Sequence, residues 1–207
     1  MEVVIGIDIG QKRDPTAICV SEREKRIENG KERTHYLVRY LERLPLGLPY
    51  PQVAERLTEI ARGVRDKIGC YPDLFVDATG VGLPVVDALA DDHDDLGYVT
   101  AVFFTHGDRY TERESNRYGD VLLGKAYLVS QLQVLLQHHQ IHLPETSEAR
   151  ALAQELLDYE IRVDEDANTR YGAFRTGTHD DLVTALGLTL EYPPKYRFLG
   201  YGRDYDD

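Results

Sequence analysis

The fold is decided by residues 3–10, which are Val3-Val4-Ile5-Gly6-Ile7-Asp8-Ile9-Gly10. Apolar side chains at every second position predict a strand over Val3–Ile9 with one wholly apolar face. The other face carries two glycines and Asp8. An ionised carboxylate there is costly unless a cation or hydrogen-bond donors meet it, and glycines leave room for such a group. Asp8 is therefore a candidate site residue, although an aspartate at a strand end is also a common turn cap.

The rest of the pattern predicts a mixed sheet with helices on its faces. Thr16–Ser21 and Thr34–Leu44 are predicted strands joined by a charged loop over 22–33, so that the first three strands form an antiparallel meander. Further strands are predicted at Asp73–Asp77 and Tyr98–Phe104. Apolar residues at helical spacing predict the remaining helices, and two strand-like runs on either side of a polar turn predict a hairpin. These are a helix from Val53 to Gly69, Pro84–Leu89, a long helix marked by Leu122, Ala126, Val129, Leu132 and Leu136, Glu148–Leu157, a hairpin of Tyr159–Val163 with Tyr171–Arg175, and Asp180–Leu190.

Composition excludes several classes of protein. The 207 residues are 42% apolar, and no run approaches the ~18 apolar residues of a membrane span or resembles a signal peptide. With 24 basic against 36 acidic residues the net charge is −12, which argues against a nonspecific nucleic-acid coat but permits an enzyme that binds metal ions with its acids. Cys19 and Cys70 lack metal-ligand spacing and are predicted to be buried thiols in a reducing compartment.

A second candidate site residue, Asp77, ends the apolar strand that begins at Asp73. The following segment, Ala78-Thr79-Gly80-Val81-Gly82, can present backbone amides to a phosphate, but it lacks a nucleotide-binding fingerprint. Capping of a strand-to-helix turn is the alternative role for Asp77.

A third group of candidates, Thr178-His179-Asp180-Asp181, opens the last helix. Thr178 and Asp181 resemble a capping box, and acids in a first turn suit the helix dipole. The same features keep Asp181 ionised and fixed in direction, as a metal ligand requires. His179 is a ligand, a base or a surface residue, and we favour the surface or a position behind the ligands. Ala185, one turn along the same face, predicts close packing of this helix on the sheet.

Taken together, the acids predict a metal site. If the first strand lies beside and parallel to the fourth, Asp8 and Asp77 end at neighbouring levels, and the last helix brings Asp181 and Asp180 opposite them. Such a set of carboxylates suits Mg²⁺ or Mn²⁺. Two such ions about 3.5–4 Å apart can activate a water and stabilise the leaving oxygen of a phosphodiester. No zinc-ligand cluster and no serine nucleophile elbow competes with this interpretation.

Three motifs together resemble the nuclease domain of the large terminase subunit of tailed bacteriophages. They are Gly6-Ile7-Asp8-Ile9-Gly10, Val76-Asp77-Ala78-Thr79-Gly80-Val81-Gly82 and His179-Asp180-Asp181-Leu182-Val183-Thr184-Ala185-Leu186. The resemblance covers nearly the whole chain, including the 125–136 helix. It implies an RNase H-like fold over 1–192, with 193–207 as a loose tail. It also implies a divalent-metal-dependent endonuclease that cuts concatemeric double-stranded DNA during genome packaging in the host cytoplasm.

By this likeness Asp8, Asp77 and Asp181 are catalytic metal ligands for Mg²⁺ or Mn²⁺, with Asp180 as a fourth candidate. His179 and Thr184 lie behind them, and at Thr184 relatives often carry another Asp. The implied partners are the terminase ATPase domain, the small terminase subunit and the portal, and we expect the isolated domain to be monomeric. No ATP-binding motif is present, since Gly124-Lys125-Ala126 does not match one. We therefore expect an excised nuclease domain or a stand-alone relative.

Predicted phosphate contacts are Lys12 and Arg13, just after Asp8, and a second set comprising Arg109, Arg113, Arg117 and Lys125, with Arg170 and Arg175 on the hairpin. Ordinary solvated surface is the alternative for all except the first two. Other functions stay open. They are a Holliday-junction resolvase-like nuclease, an actin-like kinase or ATPase suggested by Asp8-Ile9-Gly10, and a non-catalytic packaging or assembly module.

Overall fold

The computed structural model describes residues 2–10, 14–91, 96–106, 109–113, 115, 117–163, 169–172 and 180–191, with the backbone alone for 160–163 and 169–172. Its centre is an eight-stranded mixed sheet in the order β6-β7-β5-β4-β1-β2-β3-β8, and a separate hairpin pairs β9 with β10. The strands are β1 Glu2–Asp8, β2 Ala17–Glu28, β3 Lys31–Arg43, β4 Asp73–Asp77, β5 Val99–Thr105, β6 Tyr110–Arg113, β7 Gly119–Gly124, β8 Ile141–His142, β9 Glu160–Val163 and β10 Thr169–Gly172.

Five helices lie within the described ranges. They are α1 Tyr50–Ile68, α2 Leu83–Asp91, α3 Lys125–Gln137, α4 Ser147–Asp158 and α5 Asp181–Leu188. None of these helices is long and apolar enough to cross a membrane. The predicted tail, 193–207, lies outside the described residues.

The predicted sheet arrangement is confirmed. β1, β2 and β3 pair antiparallel, and β1 pairs parallel with β4, as the predicted carboxylate site requires. β5 and β7 extend the parallel part, and the β9–β10 hairpin precedes the last helix. These features give the mixed α/β fold, a central sheet flanked by helices, that the sequence predicts.

The charged loop predicted over 22–33 is wrong, because β2 and β3 continue through it to a tight turn. Asn29 and Gly30 have φ values of 50° and 75°, the positive values that a two-residue hairpin turn requires. Opposite charges face each other across the two strands, with Lys25 Nζ 3.1 Å from Glu32 Oε1. The alternating charges are therefore the two solvated sides of a long ribbon.

Two strands, β6 and β7, lie where only a polar stretch and the start of a helix are predicted. Leu122, assigned to the long helix, belongs to β7, where Val121 and Leu123 point into the core. The helix begins at Lys125 instead. The prediction for Cys70 is also wrong. It is exposed, because it follows the left-handed Gly69 that ends α1, whereas Cys19 is buried in β2.

The sheet separates two apolar layers. The alternation of β1 puts Val3, Ile5 and Ile7 against α1 and α2, as predicted. The opposite layer contains Cys19 of β2 and side chains of α3, α4 and α5, including Leu128, Leu152, Leu182 and Leu186. The face of β1 that carries Asp8 therefore looks toward the last helix.

Gly6 lets α5 lie directly on β1. A Cβ atom at Gly6 would stand 2.1 Å from the carbonyl oxygen of Ala185 and 3.0 Å from the Cβ of Leu188. Backbone therefore meets backbone at this point, and no larger residue fits without displacing the helix. The close packing predicted from Ala185 is present, and the small residue on the sheet side is Gly6.

We predict that Gly6→Ala destabilises the fold by about 2 kcal/mol, the usual range for overpacking being ~1–3 kcal/mol. The matched control is Gly63→Ala on the exposed side of α1, where an added Cβ meets nothing within 4 Å. Alanine there is expected to stabilise by roughly 0.5–1 kcal/mol. Urea unfolding of the variants measures both effects, and equal stability of Gly6→Ala and the wild type would contradict the close approach.

Candidate metal and catalytic site

Asp8 and Asp77 stand side by side at the carboxyl ends of two adjacent parallel strands. Ile7 of β1 pairs with Val76 of β4, so the next residue on each strand is an aspartate. The structure thus brings these two predicted residues together, at the edge of the sheet where α/β proteins commonly bind ligands.

Burial raises the pKa of both carboxyls. Burial, the charge of Asp77 and the charges of Asp180 and Asp181 raise the pKa of Asp8 well above its usual value, while Lys125 opposes the shift. Burial also raises the pKa of Asp77, against hydrogen bonds from Thr79, the charge of Lys125 and a hydrogen bond with Asp8. A hydrogen bond between two carboxyls requires a proton on one of them. A bound cation would take the place of that proton.

Thr79 fixes the direction of the Asp77 side chain. Its backbone N–H donates to Asp77 Oδ1 at 2.8 Å, which closes the turn after β4. Its hydroxyl oxygen accepts from the backbone N–H of Phe104 at 2.8 Å. The capping role considered for Asp77 is therefore present, and its backbone contact uses Oδ1.

Lys125, the first residue of α3, is the cation that acts on both carboxyls. Its charge lowers the pKa of Asp8 and of Asp77. The Nζ atom lies 5.3 Å from the centre of the Phe104 ring, at the end of β5. A predicted phosphate contact is thus next to the predicted metal ligands.

Asp180 and Asp181 have different surroundings, although they are neighbours. Asp181 is the first residue of α5 and only 3% exposed. Its Oδ2 accepts from Arg43 Nε at 2.8 Å and its Oδ1 from Arg43 Nη2 at 3.1 Å, so the guanidinium uses both oxygens. Asp180 occupies the N-cap position, and its side chain makes no capping hydrogen bond. Thr178, the other member of the predicted capping box, lies outside the described residues.

The sequence analysis missed two residues that contact the start of α5, Arg43 and Glu155. Glu155 of α4, 7% exposed, accepts from the backbone N–H groups of Leu182 at 3.0 Å and Val183 at 3.2 Å. Its other oxygen contacts Arg43. A signal for Glu155 exists in the sequence, because it continues the buried positions Ala149 and Leu152 at helical spacing, where an apolar residue is expected.

The two residues predicted to lie behind the ligands have separate outcomes. The hydroxyl of Thr184 donates to the backbone carbonyl of Asp180 at 3.0 Å, so Thr184 braces the Asp180 backbone. His179 lies outside the described residues.

The other predicted phosphate contacts are more dispersed. Arg113 pairs with Asp120 at 2.6 Å and covers the ring of Phe103. Arg117 is paired with Asp87 and Asp91. Arg109 is exposed. Lys12, Arg13 and Arg175 and the side chain of Arg170 lie outside the described residues.

The donor set fits a hard divalent cation. Across the described ranges, no three Asp, Glu, His or Cys side chains stand close enough to hold a metal ion together. Mg²⁺, however, usually uses one or two carboxylates and completes its shell with water and substrate phosphate oxygens. Asp8 and Asp77 supply two adjacent carboxylates, each with a pKa raised mainly by burial, and the charges of Asp180 and Asp181 also raise the pKa of Asp8.

Comparison with known proteins gives matches at the level of structure. No family model matches the sequence. No curated protein matches it either. The fold is similar to the large terminase nuclease of the thermophilic phage G20c with bound magnesium, at 20% identity and a TM-score of 0.60 over 91% of this chain and 79% of the phage chain.

Two further viral nucleases match over 91% of this chain. For the human cytomegalovirus terminase nuclease domain the identity is 13%, the TM-score 0.57 and the coverage of that chain 81%. For the large terminase nuclease domain of bacteriophage SPP1 with bound Mn the values are 12%, 0.52 and 85%. The resemblance found in the three sequence motifs therefore extends to the fold, which is that of viral terminase nuclease domains.

Proposed function

We propose that this protein is a divalent-metal-dependent DNA endonuclease of the viral terminase type. The observation that carries the proposal is the pair of adjacent carboxyls, Asp8 and Asp77, at the ends of parallel strands, each with a raised pKa. A fold at low sequence identity does not fix a reaction, so the assignment rests on this site. Cleavage of concatemeric DNA during packaging, beside an ATPase motor, a small subunit and a portal in the host cytoplasm, belongs to the same proposal.

Asp8 and Asp77 would hold the metal directly, and a third aspartate would act on it through its charge or a bound water, since no three of the described side chains stand close enough to bind one ion together. Asp8 and Asp77 are the core of the site, and we assign the third carboxylate to Asp180 rather than to Asp181. Arg43 already binds both oxygens of Asp181, whereas the side chain of Asp180 caps no helix amide. Divalent ions in such a site activate water and stabilise the charge that develops on a phosphodiester. The carboxylates would hold and orient the metal, and Lys125 would bind a phosphate of the DNA. No side chain is assigned as a separate general base.

Binding of DNA by the isolated chain should be weak and sensitive to salt. The net charge is −12, so duplex DNA is repelled except where a basic residue faces it. Lys125 is the best-supported phosphate contact, since it lies beside the carboxylates. Lys12, Arg13, Arg109 and Arg113 are proposed as additional contacts. Attachment to a motor that already holds DNA would raise the local concentration.

The first prediction is metal-dependent cleavage of plasmid DNA. The wild type should nick and linearise plasmid at low salt with Mg²⁺ or Mn²⁺ and not with EDTA. Asp8→Asn, Asp77→Asn and Asp180→Asn should each lose at least about 100-fold in rate, because even residues behind a metal ligand are worth 10–100-fold. The control is Asp66→Asn on the exposed side of α1, which should cleave normally.

Three outcomes would contradict different parts of this proposal. Absence of cleavage by the wild type with both metals would reject the nuclease activity of this chain. Normal cleavage by Asp8→Asn or Asp77→Asn would reject the site. Normal cleavage by Asp180→Asn together with loss in Asp181→Asn would reverse the assignment of the third carboxylate.

A second prediction concerns stability without metal. Because the folded-state pKa of Asp8 is raised, its contribution is favourable below the unfolded-state pKa and is lost as the pH rises through the folded-state pKa. Asp8→Asn should therefore be more stable than the wild type at pH 8 in EDTA. One pKa unit is about 1.4 kcal/mol, which corresponds to a Tm increase of roughly 3 °C.

Thermal melts of Asp8→Asn and the wild type from pH 4 to pH 8 measure this difference. The advantage of the variant should shrink toward pH 4, and millimolar Mn²⁺ should raise the Tm of the wild type alone. Asp66→Asn is again the control. A lower Tm for Asp8→Asn at pH 8 in EDTA would contradict the repulsion between Asp8 and Asp77.

A third prediction concerns Lys125. Lys125→Gln should weaken binding of a short duplex in EDTA and should reduce the slope of log K against log salt by about 0.9, the value for one phosphate contact. Lys67→Gln, at an exposed position in the last turn of α1, should leave the slope unchanged. Fluorescence anisotropy at four salt concentrations measures the slope, and equal slopes for the two variants would remove Lys125 from the DNA interface.

A further inference from the structure

We infer that Arg43 and Glu155 are positioning residues that fix the place of Asp180 in the metal site. The inference rests on the proposed function, since it concerns how the third carboxylate is held. Arg43 comes from β3, Glu155 from α4, and both converge on the first turn of α5. No sequence motif marks them, and neither contacts Asp8 or Asp77 through a recorded hydrogen bond or ion pair within the described residues.

Glu155 replaces the cap that α5 lacks on its own. The first amides of a helix have no partner within it, and the N-cap side chain usually accepts one of them. In α5 the carboxylate of Glu155 does this from 27 residues away, by accepting from Leu182. The side chain of Asp180 therefore stands at the N-cap without serving as the cap. The first amides of α5 are thus satisfied by a residue of α4, and the Asp180 carboxylate is not used to cap them.

Arg43 reaches this corner because of a bulge in β3. The register with β2 shifts between Val20, opposite Tyr40, and Ser21, opposite Val38, so Arg39 is the extra residue. Beyond the bulge, Leu41 packs in the same layer as Val38. Arg43, two residues further on, then faces α5 instead of solvent. A bulge that re-aims a side chain near a site is a known use of this irregularity.

The charges of Arg43, Glu155 and Asp181 depend on one another. Glu155 and Asp181 are two carboxylates, 7% and 3% exposed, and Arg43 is the one cation recorded between them in the described part of the chain. Removing Arg43 leaves two buried like charges. Removing Glu155 leaves Arg43 paired with Asp181 but strips the amides of Leu182 and Val183 of their acceptor. The network therefore fixes both the position and the orientation of the first turn.

The other end of α5 is held as firmly. Arg23 donates to the carbonyl oxygen of Thr189 at 3.0 and 2.8 Å and to that of Leu190 at 2.8 Å. With Gly6 under the middle of the helix, α5 is fixed at three places. Metal ligands must be held to within about 0.5 Å, so loss of the first anchor should move Asp180 while the rest of the helix stays in place.

The principal test is Glu155→Gln, because glutamine keeps an oxygen for the amides and loses the charge paired with Arg43. We expect about a 10-fold weaker affinity for Mn²⁺ by isothermal titration, a lower cleavage rate at saturating DNA with little change in KM, and faster hydrogen exchange at Leu182 and Val183. Glu145→Gln, at an exposed position before α4, is the matched control.

A double variant separates positioning from stability. Arg43→Gln should lower the Tm because it leaves two buried carboxylates without a cation, and Arg43→Gln with Glu155→Gln should recover part of it because only the Asp181 charge then stays uncompensated. Affinity for Mn²⁺ should not recover with the Tm. Recovery of both in parallel would mean a purely structural role and would overturn the inference. If Glu155→Gln does not fold, Arg43→Lys is the second test. Lysine keeps the positive charge but lacks the planar guanidinium that binds both oxygens of Asp181, so we expect about 10-fold weaker Mn²⁺ binding.

The results also distinguish the two proposals. Failure of the wild type to bind Mn²⁺ or to cut DNA would reject the proposed function, whereas hydrogen exchange at Leu182 and Val183 would still report on the anchor. A wild type that binds and cuts, with a folded Glu155→Gln that does so equally well, would reject the positioning role and leave the nuclease assignment intact.

Discussion

The contact between the backbone of α5 and Gly6 of β1 is the constraint on which the site depends. A Cβ atom at Gly6 would stand 2.1 Å from the carbonyl oxygen of Ala185, so no side chain separates helix from strand. Asp8 lies two residues further along the same face of β1, and Asp181 one helical turn before Ala185. The distance between the strand-end carboxylates and the helix start is therefore set by main-chain packing, which tolerates far less variation than the packing of flexible side chains.

A cost in stability accompanies this arrangement. Asp8 and Asp77 are partly buried neighbours whose charges oppose each other, and Lys125 offsets the opposition only in part. A fold selected for stability alone would place an apolar or amide side chain at one of these positions. This unfavourable electrostatic energy arises at the edge of the sheet where a bound cation would offset it. Between these aspartates and the acidic residues Glu2 and Asp73 at the opposite strand ends, β1 and β4 are apolar and largely buried, so the carboxyls are buried only where binding would compensate.

Much of this fold could be predicted because the deciding patterns are local. The alternation of Val3, Ile5 and Ile7 defines β1, and β4 has the predicted bounds Asp73–Asp77. The turn at Asn29-Gly30 carried a local signal that the run of charges around it obscured. The role of Arg43 had no local signal, because its direction depends on a register shift against β2. Glu155 is intermediate in this respect. Its helical spacing from Ala149 and Leu152 predicts a buried position, but the sequence does not show which helix amides its carboxylate contacts.

The adjacent aspartates of α5 illustrate why residue type alone leaves a site ambiguous. The sequence favours Asp181 as a metal ligand and offers Asp180 only as a fourth candidate. A helix turns by about 100° per residue, so consecutive side chains at its start point in different directions. Asp181 points toward β3 and α4, where Arg43 takes both of its oxygens. The Asp180 carbonyl is held by Thr184, and the charges of both Asp180 and Asp181 raise the pKa of Asp8. Asp181 therefore anchors the helix, and the role that we propose for Asp180 differs from it because of helix geometry and the position of a single arginine.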